Sequence, residues 1–267
     1  MLRYTIKKLL QPVRLWPRRI LLLPSFEEQQ FVSTRGCLYR ACQFANRNYI
    51  TGDYLEFGVW RGDSFTKVYH FLSKLRSDHL AWLERRSTHA SQTGSSSPEH
   101  ERWRQWKPRL FAFDSFEGLP EPEQQEIPEE WVKGGYACSE EQFRRNLASD
   151  GVDLKDLITV PGFYDKTLNS ETKKRLGLQR AAIVHVDCDL YESTIVVLDF
   201  VTDLLGQGSV LVFDDWFYNQ GRKDRGEQKA CYEWLEHNPQ LELVEYWRDV
   251  AAIAFIVNFK EEKQRSR

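Results

Sequence analysis

The chain has 267 residues, 41% hydrophobic and 28% charged, which suits one large α/β domain whose core buries most of its apolar surface. A formal net charge of −2 with both signs mixed excludes the broad basic face that neutralises nucleic-acid phosphates. Five scattered cysteines (Cys37, Cys42, Cys138, Cys188, Cys231), odd in number and without a CxxC pair, offer neither a disulfide framework nor a zinc site.

Those cysteines make a reducing cytoplasm the expected location, and no apolar run approaches the ~18 residues of a membrane span. Residues 1–24 carry Arg3, Lys7, Lys8, Arg14, Arg18 and Arg19 with no acid and end in Ile20-Leu21-Leu22-Leu23. The apolar part is too short for a signal peptide, and no small-residue cleavage site follows. Residues 1–50 are therefore read as a basic arm and helices packing on the domain as a lid or against a sister subunit in a homo-oligomer. Peripheral contact with an anionic membrane surface is the alternative.

From residue 51 to about 260 apolar runs alternate with helical patterns, the βαβ rhythm of a parallel sheet. Residues 53–59 read as a first strand ending in a glycine turn. Phe65, Val68, Phe71, Leu72 and Leu75 give residues 64–75 helical spacing. Residues 77–107 break the rhythm with an aperiodic polar stretch at 87–98, which predicts a mobile inserted surface loop flanked by short helices.

Residues 109–113 read as a second strand stopping at Asp114, followed by a long Glu- and Pro-rich loop over 117–135. A helix opens after Ser139 with acids in its first turn, as the helix dipole favours. Strands are expected at 157–160, 181–186 and 209–213, with a helix over 193–205 closed by Gly206 and another over 227–237. The run 181–186 is near-continuously apolar, as a central parallel strand buried on both faces should be. Two last strands, 241–247 and 250–257, are separated only by Arg248-Asp249 and must pair antiparallel. The expected fold is thus α/β: a mostly parallel seven-stranded sheet with a reversed last strand and helices on both faces, the class I methyltransferase outline.

In open α/β sheets ligands bind beyond the carboxyl ends of the strands. The first strand ends in Glu56-Phe-Gly58-Val-Trp-Arg-Gly62-Asp-Ser64, where the glycines permit a tight turn and close backbone approach beside a helix N-terminus. Trp60 stands where a dinucleotide loop wants glycine, which counts against a nicotinamide oxidoreductase. Asp114 suits a ribose diol, or a turn cap, and Phe116 an adenine face or simply the loop. The fourth and fifth strands end in Asp187-Cys-Asp189-Leu-Tyr-Glu192 and Asp214-Asp215-Trp216. Four carboxylates there repel one another unless a cation or a proton neutralises them, and oxygen ligands without a Cys/His set suit Mg²⁺, Mn²⁺ or Ca²⁺. His185 reads as a hydrogen-bonded core residue, with a catalytic base as the alternative.

Together these blocks, with residues 161–168 (PGFYDKTL), resemble the macrocin O-methyltransferase family, the TylF/MycF/NovP-like enzymes of sugar O-methylation. The resemblance runs over about residues 54–216 and implies S-adenosyl-L-methionine as methyl donor, with Mg²⁺ or another hard divalent cation. By the family's motifs, Glu56, Gly58 and Ser64 would lie along the methionine end of the donor. Asp114 would hold the ribose, with Ser115 and Phe116 beside the adenosine. Asp187, Asp214 and Asp215 match the metal ligands, Asp189 the general base, and Tyr136 sits in the lid-like loop. The implied acceptor is a hydroxyl of a sugar or glycosylated small molecule, not nucleic acid. A catechol-like or lipid-linked glycan acceptor, or a non-catalytic binding protein on the same fold, are the alternatives.

Overall fold

The computed structural model describes residues 26–89, 98–123 and 131–260, and the basic arm at 1–24 lies outside them. The described chain begins with helix α1 (Phe26–Arg47). The order continues β1 (Asp53–Phe57), α2 (Asp63–His89), α3 (Pro98–Gln105), β2 (Leu110–Asp114), α4 (Glu140–Ser149), β3 (Leu157–Pro161), α5 (Tyr164–Thr167), α6 (Ser170–Leu176) and β4 (Ala181–Val186). It closes with α7 (Tyr191–Val201), a 3₁₀ turn (Thr202–Leu204), β5 (Leu205–Phe213), α8 (Gly226–His237), β6 (Leu241–Arg248) and β7 (Ile253–Phe259).

The seven strands form one sheet in the order β3-β2-β1-β4-β5-β7-β6. β1 to β5 pair in parallel, and β7 runs antiparallel to both β5 and β6. The reversed strand is the last in the chain but is inserted beside β5, so β6 forms the edge. This is the class I methyltransferase sheet.

Alternation along the central strands divides the core. Leu55 and Phe57 of β1 join one apolar cluster with Phe111, Phe113, Val197, Phe200 and Trp234. Tyr54 faces the other side with Leu38, Ala41, Phe65, Val68, Phe143 and Ile183. β4 is buried at every position, as its continuous apolar run predicts. Period two then puts Glu56 on Tyr54's side and His185 on Ile183's, and the β1–β4 register pairs Glu56 with His185. Helix α1 packs on α2 and against β4 and β5, burying Cys37, Leu38, Ala41 and Cys42.

Three elements differ from the sequence expectations. The helix expected at 64–75 runs on to His89, and α3 follows it, so much of 77–107 is helical. Its apolar signal fades because the partner is not the sheet but an aromatic cluster. Trp103 of α3 is 3% exposed, within 4.9 Å of the His79 ring and 5.5 Å of Tyr49, and Arg76 lies over its face at 4.6 Å. The helix expected at 193–205 spans Tyr191–Val201, and Gly206 lies inside β5 rather than capping a helix. There Ser209 Oγ accepts from the Gly206 N–H at 2.9 Å and donates to Ala181 C=O at 2.6 Å, stitching β5 to β4 where their register shifts. Finally, β6 and β7 are joined by residues 249–252, with Asp249 N–H bonded to Ala252 C=O at 2.9 Å. Among the described residues no helix is long and apolar enough to cross a membrane.

Candidate active site

The carboxyl ends of β1, β2, β4 and β5 open into a cavity of about 1110 Å³. Gly58, Ser64, Asp114 and Ser115 line one part, Asp187, Asp189, Asp214 and Asp215 another, and Tyr136 closes on it from the loop before α4. Glu56 lies beneath this surface, fully buried. Phe116 is not among the lining residues: at φ +58° it turns to pack on Phe143, ring centroids 5.6 Å apart.

The β1 and β2 ends are built around two carboxylates held by hydrogen-bond donors. Glu56 accepts from the Tyr54 hydroxyl through one oxygen and from the Ser64 hydroxyl through the other. Asp114 Oδ2 accepts from Val59 N–H at 2.8 Å and Trp60 N–H at 3.3 Å, and Oδ1 from Phe116 N–H at 2.7 Å. Asp114 therefore fixes the glycine turn as well as facing the cavity. Burial pushes its carboxyl above the usual range, while those three N–H groups pull it down.

Gly58 is required by close approach. At φ +89° its Cα faces Asp187, and a Cβ there would lie 1.6 Å from the Asp187 carbonyl oxygen. The donor-side turn and the acidic strand end are thus in backbone contact.

The β4 and β5 ends differ in charge. Asp187 is held well above the usual carboxylate range by burial, then by the charges of Asp214, Asp189, Glu56 and Glu227. Burial raises Asp215 in the same way, reinforced by Asp189, Glu227, Asp214 and Asp187. Asp189 sits at φ +61°, a left-handed conformation that Asp tolerates better than most side chains and that is held here by the turn into α7. Among the described residues, the His/Cys/Asp/Glu set whose ligand atoms lie within 4.8 Å of one another is Glu56, His185 and Asp187. Asp214 and Asp215, expected beside Asp187 as metal ligands, are not part of that set. His185 is fully buried, 3.5 Å from Glu56 through Nδ1, with neither ring nitrogen in a hydrogen bond.

The chain positions several groups that the sequence reading missed. Glu227, in the first turn of α8, is 1% exposed and accepts from Asp215 N–H at 3.0 Å through Oε2, while Oε1 is buried without a partner. An acid after a strand-end acid pair is not distinguishable in sequence from an ordinary first-turn carboxylate. Tyr54 was legible, two residues before Glu56 on one strand face. The 117–135 loop is anchored by Trp131, which stacks on Tyr218 at 4.9 Å, and by Glu123 N–H, which donates to Glu192 at 2.8 Å.

Comparison with known proteins agrees with this geometry. The macrocin-O-methyltransferase (TylF) family model matches residues 101–230, the stretch from α3 to the first turn of α8. The resemblance to the macrocin O-methyltransferase family is therefore shown. With it goes the assignment of an S-adenosylmethionine-dependent O-methyltransferase. A tetracenomycin-C 4'-O-methyltransferase of Streptomyces olivaceus, whose full name specifies the 8-demethyl-8-(2,3-dimethoxy-alpha-L-rhamnosyl) compound, is 26% identical over 212 residues, covering 77% of this chain and 69% of the relative. The O-methyltransferase NovP superposes with a TM-score of 0.59 at 19% identity, over 83% of this chain and 78% of its own. The calicheamicin methyltransferase CalS11 gives 0.58 at 19% identity, over 83% and 76%. At that identity the two structures speak for the shared fold.

Proposed function

We propose that this macrocin-O-methyltransferase-like chain methylates a hydroxyl of a sugar or glycosylated small molecule with the help of a divalent cation. The observation that carries the reading is that the donor-side turn and the acidic strand ends line one cavity. The rhamnosyl compound in the name of the Streptomyces olivaceus relative supports a sugar acceptor.

The donor would lie along Gly58 and Ser64 with its methionine end, Glu56 supporting Ser64 from beneath, and along Asp114 and Ser115 with its ribose and adenosine. Phe116 supports the adenosine side through its packing on Phe143. Asp187, Asp214 and Asp215 would hold the cation. Their chemistry fits a hard ion: oxygen donors only, with the Asp187 and Asp215 carboxyls raised first by burial and then by like charges, and a buried Glu227 oxygen without a partner. When bound, such an ion lowers the pKa of an acceptor hydroxyl.

Asp189, at the cavity wall, takes the proton of that hydroxyl. The acceptor oxygen forms its bond to the methyl carbon as the carbon–sulfur bond breaks, and the sulfur keeps the electron pair as S-adenosylhomocysteine. Glu123, Trp131 and Tyr136 border the cavity, and holding acceptor oxygen and methyl carbon in line there is the main source of rate for a group that offers little else to bind.

Transfer of labelled methyl from S-adenosylmethionine to a panel of deoxysugar glycosides and sugar nucleotides, beside catechols, tests this reading with and without chelator. Label in the sugars that disappears in chelator is the expected result. Transfer to catechols alone overturns the acceptor class, and full transfer in chelator removes the cation.

A further inference from the structure

The acidic turn after β5 is gripped from both sides by the first turn of α8. Asp214 and Asp215 leave the strand without a residue between them, and the backbone then turns through Trp216. Glu227 Oε2 accepts from the Asp215 N–H at 3.0 Å, and the next residue, Gln228, donates through Nε2 to the Trp216 carbonyl at 2.6 Å. Adjacent side chains thus hold a donor and an acceptor of one short backbone segment, fixing its position and its rotation. Both are buried, Glu227 at 1% and Gln228 at 4% exposure. Neither bond caps α8: both side chains reach the turn after β5, and Arg225 at the cap position makes no side-chain cap bond.

The choice of a carboxylate for this grip is costly. An uncharged acceptor would hold the Asp215 N–H without adding a carboxylate beside a pocket already lined by Asp187, Asp189, Asp214 and Asp215. A peptide segment whose carboxylates must converge within fractions of an ångström gains more than an ordinary loop from such a hold.

We propose that Glu227 and Gln228 are positioning residues for the cation site: together they aim the carboxylates of Asp214 and Asp215, and neither touches donor or acceptor. The inference rests on the cation reading above, and deepens it by naming residues of another helix on which the ligand turn depends.

Uptake of Mn²⁺ by the purified full chain, followed through the electron paramagnetic resonance of free Mn²⁺, tests it without turnover. Glu227→Ala and Gln228→Ala should each weaken Mn²⁺ binding by about 10-fold or more, the usual cost of losing a group that orients a ligand. Glu227→Gln keeps an acceptor for the Asp215 N–H and should stay within about threefold of wild type, well short of that cost. S-adenosylhomocysteine affinity by calorimetry should stay unchanged in all three, because the donor turn is held by Glu56 and Asp114.

Wild-type Mn²⁺ affinity in Glu227→Ala, or in Gln228→Ala should the former not fold, overturns the positioning role alone. Equal losses in Glu227→Gln and Glu227→Ala overturn it as well, since charge and not the hydrogen bond would then be what the site requires. No Mn²⁺ uptake by the wild-type chain disposes of the cation reading itself, an outcome distinct from the others.

Discussion

Carboxylates at the ends of β1 and β2 are held by hydrogen-bond donors, whereas Asp187 and Asp215 at the ends of β4 and β5 are buried in the fields of neighbouring acids. Glu56 takes two hydroxyls and Asp114 three backbone N–H groups. Asp187 and Asp215 instead sit in the fields of Asp189, Asp214 and Glu227. Hydrogen-bond donors convert a buried acid into a rigid recognition surface, while like charges convert it into a site whose energy is lowered by a cation or a proton. One cavity therefore has a finished wall and a charged one, joined where Gly58 meets the Asp187 carbonyl.

Breaking the charged wall should have the largest effect. Asp189→Asn should leave Mn²⁺ and S-adenosylhomocysteine binding near wild type while turnover falls about 10²–10⁴-fold, the range for losing a general base. Asp187→Asn should lower metal affinity and turnover together, partly recovered by excess Mg²⁺. Rates measured against Mg²⁺ concentration separate the two, and parallel losses of metal affinity in both variants would merge the roles that the comparison keeps apart.

Next comes the joint between the walls. Gly58→Ala forces a Cβ onto the Asp187 carbonyl at φ +89°. Strain and overlap together should cost about 2–6 kcal/mol in denaturant unfolding. A loss under about 1 kcal/mol, the size of an ordinary surface change, would mean that the two strand ends part easily.

The sequence already announced much of this division. The near-continuous apolar run gave β4, and the acids beyond it stood out as the first carboxylates after a strand buried on both faces. Asp114 was legible for the same reason. The Glu227–Gln228 grip was not, because it depends on how a helix twelve residues later docks on a turn, and no local periodicity encodes docking. The long α2 was underestimated where its partner becomes Trp103 and Tyr49, residues distant in the chain whose aromatic contacts replace an apolar stripe.

Asp114→Ala sharpens the comparison from the finished side. It removes the acceptor for Val59, Trp60 and Phe116 N–H groups as well as the ribose partner. Donor affinity should fall by about 1–3 kcal/mol, as expected for hydrogen bonds to a charged group, with Mn²⁺ uptake unchanged. A loss of Mn²⁺ binding as well would show that the donor turn also sets the acids through Gly58.

The smallest effect concerns protons. Burial and like charge raise the folded-state pKa of Asp187, Asp215 and Glu227 above the ordinary carboxylate value of about 4. In the window above that value the folded chain keeps protons that the unfolded chain has released, so stability from these groups is greatest at acid pH and falls as pH rises toward the folded-state values. Outside the cavity the sign reverses: Asp224 is pulled down to about 2 by Arg222, and the Thr159 hydroxyl and Arg144 lower Glu140, so those groups stabilise above about pH 4. The two tendencies place the most stable pH of the chelated chain in mild acid. Its thermal midpoint should then drop between about pH 5 and pH 8 by a few degrees, as one or two kcal/mol would produce. Saturating Mg²⁺ should flatten that slope, because the ion binds the deprotonated carboxylates and takes over the neutralisation that protons supply at low pH. A midpoint that is flat in chelator, or a slope that Mg²⁺ leaves untouched, would mean that these acids are neutralised by the protein itself and that the two walls of the cavity do not differ in charge after all.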